Sequence, residues 1–260
     1  MATIYSPIPN SFRQNLQANK KQIGCWCSLG SPLAAEVLGA AGFDWILIDG
    51  EHAPNELQSF LSQLMALKDS RSAPVVRPQW AEPIIIKRLL DLGFFNFLMP
   101  FVDNAEQARE IVAATRYPPE GIRGVSLSNR GNRFGYRERY HDEVNDNITV
   151  LAQIESKEGL RNVEEIASVE GVDGLFVGPS DLSADLGCFP DTQHPKVQGA
   201  IREILRAGAA TGTAVGTIAV VEEQARRYLD MGMTCVAVGA DLGLLKNVTQ
   251  ELRNKFRSND

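Results

Sequence analysis

Eight short runs of apolar and β-branched residues, each followed by a stretch with helical spacing, constrain this 260-residue chain more than any other feature. The runs fall at 23–28, 45–49, 74–77, 95–99, 148–154, 174–177, 214–218 and 235–239. They are nearly continuous in apolar character rather than alternating, the pattern of parallel strands covered on both faces. Between them, SPLAAEVLGAAG offers Ser31 as an N-cap and Pro32 at the first helical position. NELQSFLSQLMALK carries leucines and Met65 at helical spacing, and EPIIIKRLLDLG stops at Gly93. NAEQAREIVAATR, KEGLRNVEEIASVE, HPKVQGAIREILRAGAATG, VVEEQARRYLDMG and LGLLKNVTQELRNKF continue the series. This alternation predicts an α/β fold, a single (β/α)8 barrel over residues 1–260, since such barrels take about 250 residues. A doubly wound open sheet is the alternative, and the lack of GxGxxG after the first strand counts against it.

Composition narrows the function. A hydrophobic share of 44% and a charged share of 22% are ordinary for a globular protein. The net charge of −6 argues against nucleic acid or an anionic membrane as the partner of the whole surface. The N-terminal MATIYSPIPNSFRQNLQANKK has no apolar signal core, and no run reaches the roughly 18 apolar residues of a membrane span, so a cytoplasmic setting is expected. Cys25 and Cys27 share one face of a strand. They read as small core residues, with a metal or redox pair as the alternative. One segment breaks the rhythm. Residues 116–147 form a long insertion, and 116–141 holds six arginines and two glutamates. It is expected to be a solvated or subunit-contacting loop, or a rim that attracts an anionic substrate.

In a (β/α)8 barrel the chemistry sits at the carboxyl ends of the strands. Asp49 ends the second run and His52 follows it. Arg77 ends the third, Gln153 and Glu155 the fifth, and Ser180 and Asp181 follow the sixth. Glu155 and Asp181 stand at neighbouring strand ends, about 4.8 Å apart in a sheet, where two carboxylates can share a cation. Two carboxylates completed by water and substrate oxygens suit Mg²⁺ or Mn²⁺. Plainer readings exist for each residue: Asp181 as a helix cap, Glu155 as a cap or rim pair, His52 as a structural loop histidine, Arg77 as an ion-pair partner. As a set, they suit a 2-oxo acid that chelates a divalent ion and reacts through an enolate. In that chemistry His52 moves a proton, oriented by Asp49 or Glu51, and Arg77 faces the developing oxyanion. No lysine ends a strand, so a Schiff-base route lacks its residue.

The segments FDWILIDGEHAPN, APVVR, RYPPEGIRGVS, QIES and GLFVGPSDLS resemble the HpcH/HpaI family of metal-dependent class II pyruvate aldolases, and the likeness runs nearly end to end. The resemblance implies His52 as proton acceptor, Arg77 as transition-state stabiliser, and Glu155 and Asp181 as ligands of Mg²⁺, with Mn²⁺ or Co²⁺ as substitutes. It implies Gln153, Ser180 and Asp181 as substrate-binding residues. Asp91, in LLDLG, would raise the basicity of the histidine, directly across a subunit interface or through a longer network. It also implies a homohexamer, a trimer of dimers, with the C-terminal helix swapped onto a neighbouring barrel. The expected reaction is reversible cleavage of a 2-keto-3-deoxy sugar acid to pyruvate and an aldehyde, with a glucarate-type substrate first. A rhamnonate-type substrate or 4-hydroxy-2-oxoheptanedioate is the alternative, and a non-catalytic barrel subunit the remote one. Gln79 and Trp80 depart from the smaller polar residues expected after Arg77, which bears on the aldehyde partner.

Overall fold

The computed structural model of the protein describes residues 10–257. Its eight strands close into a parallel barrel in sequence order. A short helix α1 (Ser11–Gln17) precedes β1 (Gln22–Cys27), and then come α2 (Pro32–Ala40), β2 (Trp45–Asp49), α3 (Leu57–Ala66), β3 (Ala73–Arg77), α4 (Pro83–Leu92), β4 (Asn96–Met99) and α5 (Ala105–Thr115). The second half runs α6 (Tyr140–Glu143), β5 (Thr149–Ile154), α7 (Lys157–Arg161), α8 (Val163–Ala167), β6 (Gly174–Val177), α9 (Pro179–Asp185), α10 (Pro195–Thr211), β7 (Ala214–Ile218), α11 (Glu222–Asp230), β8 (Cys235–Ala240) and α12 (Asp241–Phe256). Each strand lies within a residue or two of its expected place. The stretch expected as one helix after β5 is two short ones, broken at Asn162. Among the described residues no helix is long and apolar enough to cross a membrane.

Strand parity builds two cores. Trp26, Trp45, Leu47, Val75, Leu98, Leu151 and Phe176 fill the barrel interior, while Cys25, Cys27, Ile46, Ile48, Val76, Ile154 and Val177 face the helices. Cys25 and Cys27 are fully buried and unpaired, as core residues. Burial, reinforced by the Asp241 charge, pushes the Cys25 thiol up to about 11 and the Cys27 thiol higher still. Close approach demands glycine at position 24: a Cβ there would sit 2.1 Å from the Trp45 ring.

Helix α1 is not expected from the sequence. It inserts Phe12 and Leu16, both buried, into the interior core beneath Trp45 and so closes the barrel floor. Asn10 caps it and donates to the Asn147 carbonyl (2.7 Å) and Thr149 Oγ1 (3.0 Å), while Arg13 pairs with Asp173 at 2.9 Å. The 116–147 insertion is likewise packed rather than loose. Tyr117, Arg123, Tyr140 and Val144 are buried. The Arg123 guanidinium lies 4.2 Å over the Tyr117 ring and pairs with Asp91 at 2.8 Å. At the other end of the chain, α12 is held by its first residue, since Asp241 accepts N–H bonds from Ser28 (2.8 Å) and Leu29 (3.1 Å). Beyond it, Leu242, Leu244, Leu245, Val248, Leu252 and Phe256 are exposed.

Removing the floor should cost stability in proportion to the cavity left. Phe12→Ala is expected to lower the unfolding free energy by about 3 kcal/mol or more. Urea denaturation followed by tryptophan fluorescence measures it, and an unchanged midpoint would show that α1 does not close the core.

Candidate active site

The parity that fills the interior also delivers the site. Trp45 and Leu47 point inward, so the next inward position on β2 is Asp49; β3 presents Val75 and then Arg77; β5 presents Leu151, Gln153 and, just past the strand, Glu155. Asp49 and Arg77 are register partners on adjacent strands. Arg77 Nε and Nη2 donate to the two Asp49 oxygens at 2.8 and 2.9 Å, and Nη1 lies 2.6 Å from Glu51 Oε2. The Trp26 ring is the floor below, 5.2 Å from the guanidinium carbon. Burial alone would raise the Asp49 carboxyl, but the hydrogen bonds and charge of Arg77 outweigh it and hold the group below the usual carboxylate range.

Glu155 is buried and held from two sides. Its Oε1 accepts the Phe101 N–H at 2.9 Å and its Oε2 accepts from Gln153 Nε2 at 2.6 Å. Gly178, just past β6, makes room for it, because a Cβ there would sit 2.3 Å from Glu155 Oε2. Burial pushes the Glu155 carboxyl up to about 7; the Phe101 N–H and Arg77 oppose this, and the charges of Glu51 and Asp181 add to it. Glu51 is raised too, by burial first, with Arg77 and His52 opposing and Asp49 and Asp181 adding. The carboxylates of three loops therefore feel one another at one mouth.

Several plainer readings do not match the geometry. Asp181 lies in the first turn of α9, but that helix has Gly178 as its N-cap and no side-chain cap. The cap of α7 is Ser156, not Glu155. The loop after β2 is pinned by Asn55, whose Nδ2 donates to the Asp49 carbonyl at 2.6 Å. On that loop the His52 side chain is 63% exposed, with Nε2 3.8 Å from Glu51 Oε2. Glu51, not Asp49, is thus its acidic neighbour, and Asp49 serves Arg77. Ser180 is exposed beside Asp181. Asp91 goes elsewhere. It lies at the end of α4, where β4 begins, at the barrel face opposite this mouth, and its Oδ1 accepts from Arg123 (2.8 Å) and Asn129 (3.2 Å).

Two contacts are not part of the sequence reading. The ion pair of Glu51 with Arg77 is within reach of it, since parity on β2 continues from Asp49 to position 51. Phe101 is not, because the sequence gives no sign that its backbone N–H faces the site.

A divalent cation fits this donor set. The carboxylates outnumber the guanidinium among them, and the buried Gln153 Oε1 has no hydrogen-bond partner. Among the described residues no three His, Cys, Asp or Glu side chains form a complete cage, so water and substrate oxygens would have to fill the remaining positions.

A closed parallel barrel with acids, an arginine and a histidine at its carboxyl-terminal mouth defines a barrel enzyme. Residues 22–248 match the family described as HpcH/HpaI aldolase/citrate lyase, and the chain belongs to that family. Membership makes it a carbon–carbon lyase of the aldolase type. A relative from Enterobacter sp. (strain 638), named 5-keto-4-deoxy-D-glucarate aldolase, is 57% identical over 96% of this chain and 98% of its own. Among solved structures, an HpcH/HpaI aldolase/citrate lyase family protein from Burkholderia cenocepacia J2315 is 40% identical, with a TM-score of 0.93 over 96% of this chain and all of that one. An HpcH/HpaI aldolase from Desulfitobacterium hafniense DCB-2 is 28% identical, with a TM-score of 0.87 over 95% of this chain and 97% of that one.

Two measurements check the electrostatics. Arg77→Met leaves Asp49 and Glu51 without their cation and should cost about 3–5 kcal/mol in urea unfolding; a loss below about 1 kcal/mol would contradict the clamp. Glu155 titrates with the opposite sign to Asp49. Its folded value lies above its usual 4.5, so its contribution to stability is full below pH 4.5 and is lost as pH rises to about 7. Metal-stripped protein should lose on the order of 3 kcal/mol across that window from this group, and Glu155→Gln should flatten the slope.

Proposed function

We propose that this protein reversibly cleaves 5-keto-4-deoxy-D-glucarate, and also 2-dehydro-3-deoxy-D-glucarate, to pyruvate and tartronate semialdehyde, with a divalent metal, Mg²⁺ first and Mn²⁺ or Co²⁺ as substitutes. The observation that carries the reading is the surplus of carboxylate at one mouth: beyond burial, the Asp181 charge adds to the rise of both Glu51 and Glu155, and Glu51 adds to that of Glu155. The relatives at 57% identity supply the sugar acid. Glu155 and Asp181 would hold the cation, which when bound supplies Lewis-acid stabilisation of the pyruvyl enolate.

The remaining work falls to the chain. Gln153, Ser180 and Asp181 bind the pyruvyl unit, with the free Gln153 Oε1 as an available acceptor. Two of the five Arg77 N–H groups donate to Asp49 and Nη1 lies in ion-pair range of Glu51, which leaves N–H groups on the terminal nitrogens for the substrate oxygen that gains charge. His52, exposed and beside Glu51, takes the proton of the substrate hydroxyl. The carbon–carbon bond then breaks, the aldehyde leaves, and the enolate takes up a proton to give pyruvate.

The assembly belongs to the same reading. A homohexamer, a trimer of dimers, would cover the apolar residues of α12 against a neighbouring barrel. It would also let Asp91 raise the basicity of a partner's histidine, since its own chain puts it at the far face. The unpaired buried cysteines suit a cytoplasmic enzyme.

Pyruvate release from a panel of 2-keto-3-deoxy acids, coupled to lactate dehydrogenase, tests the assignment. Glucarate-derived substrates should lead, and turnover on 2-keto-3-deoxy-L-rhamnonate or 4-hydroxy-2-oxoheptanedioate instead would replace them. Chelator should abolish activity and Mg²⁺ restore it, whereas Glu155→Ala and Asp181→Ala should stay inactive with Mg²⁺ added. His52→Ala should slow turnover by about 10²–10⁴-fold. Full activity in excess chelator would refute the metal mechanism.

A further inference from the structure

Phe101 holds an unusual backbone for a bulky residue. Its φ is +49°, in the left-handed region that a non-glycine residue occupies only when its surroundings hold it there. That conformation aims the Phe101 N–H at Glu155 Oε1, 2.9 Å away. With the Gln153 amide on Oε2, it fixes the direction in which the Glu155 carboxylate faces.

The Phe101 ring stacks on Trp80, with centroids 5.7 Å apart and planes 24° from parallel. Beyond the stack lies an open groove of about 650 Å³, so the ring has no packed core to fall back on. Trp80 is 52% exposed, and it contributes more as a platform than as buried surface. Its own seat is rigid. Gln79 beside it donates to the Asn55 carbonyl at 3.0 Å, on the loop that bears His52, and the Trp80 carbonyl accepts the Glu82 N–H at 3.0 Å as α4 begins.

We propose that Trp80 is a positioning residue for metal binding, locking Phe101 in its left-handed conformation so that the Phe101 N–H sets the orientation of Glu155. The proposal rests on the metal reading above. Through this lock the segment that follows Arg77 reaches across the rim and sets the geometry of a carboxylate on a different strand.

Calorimetric Mn²⁺ titration of the full-length protein, with thermal melting alongside, tests it. Trp80→Ala should weaken Mn²⁺ binding by about tenfold while Trp80→Phe, which keeps a stack, stays within about twofold of the parent. The double variant Trp80→Ala/Phe101→Gly should recover most of the loss, because glycine adopts positive φ without support and keeps its N–H. A purely structural rim would show no such rescue. Unchanged Mn²⁺ affinity in Trp80→Ala, or a double variant as weak as Trp80→Ala, would overturn the lock and leave the metal reading intact. A parent protein that binds no Mn²⁺ would remove both.

Discussion

One guanidinium stands among four carboxylates at the top of the barrel, and the surrounding architecture answers that imbalance. Asp49 and Arg77 neutralise each other across a strand pair, with the Trp26 ring as their floor. Glu51 leans on the same cation from the other side. Glu155 has no such partner. A peptide N–H and an amide hold it, and burial raises its proton affinity against the pull of that N–H. A buried charge is tolerated only when something compensates it. The site is therefore divided into a half in which a guanidinium faces its carboxylates and a half in which a buried carboxylate is held by neutral donors alone.

The barrel is legible in the sequence because its signal is local and repeated. Apolar runs of strand length, separated by helical spacing with caps such as Ser31 and a stop at Gly93, need no long-range knowledge to be read. Most of the mouth is legible for the same reason: strand parity carries Asp49, Arg77, Gln153 and Glu155 onto the inner face. What escapes depends on distant partners. Helix α1 has only Phe12 and Leu16 to mark an apolar face, and nothing in SFRQNLQ tells that this face belongs under Trp45. The contact of Phe101 with Glu155 spans 54 residues, and that of Arg123 with Asp91 spans 32. The 116–147 segment reads as an arginine-rich loop because its packing consists of Tyr117, Tyr140 and an arginine that leaves the solvent, and an arginine is normally counted with the surface.

The insertion also changes how Asp91 is understood. Within its own chain this carboxylate closes a knot of Arg123, Asn129 and Tyr140 below the barrel, while the histidine lies above it. The two faces of one barrel cannot cooperate through a direct contact. A direct contact between Asp91 and a histidine at the mouth would take a second copy of the chain.

Helix α1 imposes an order in time. It is the first of the described helices and strands to leave the ribosome, yet its capping residue Asn10 bonds to Asn147 and Thr149, and Arg13 to Asp173. Those anchors do not exist until more than half of the chain has been made, so Phe12 and Leu16 emerge with no core to enter. The nascent protein must carry its own stopper, unseated, through much of synthesis. Closing the floor becomes a late event governed by the second half of the barrel, and the first of the described helices is among the last to find its place in space.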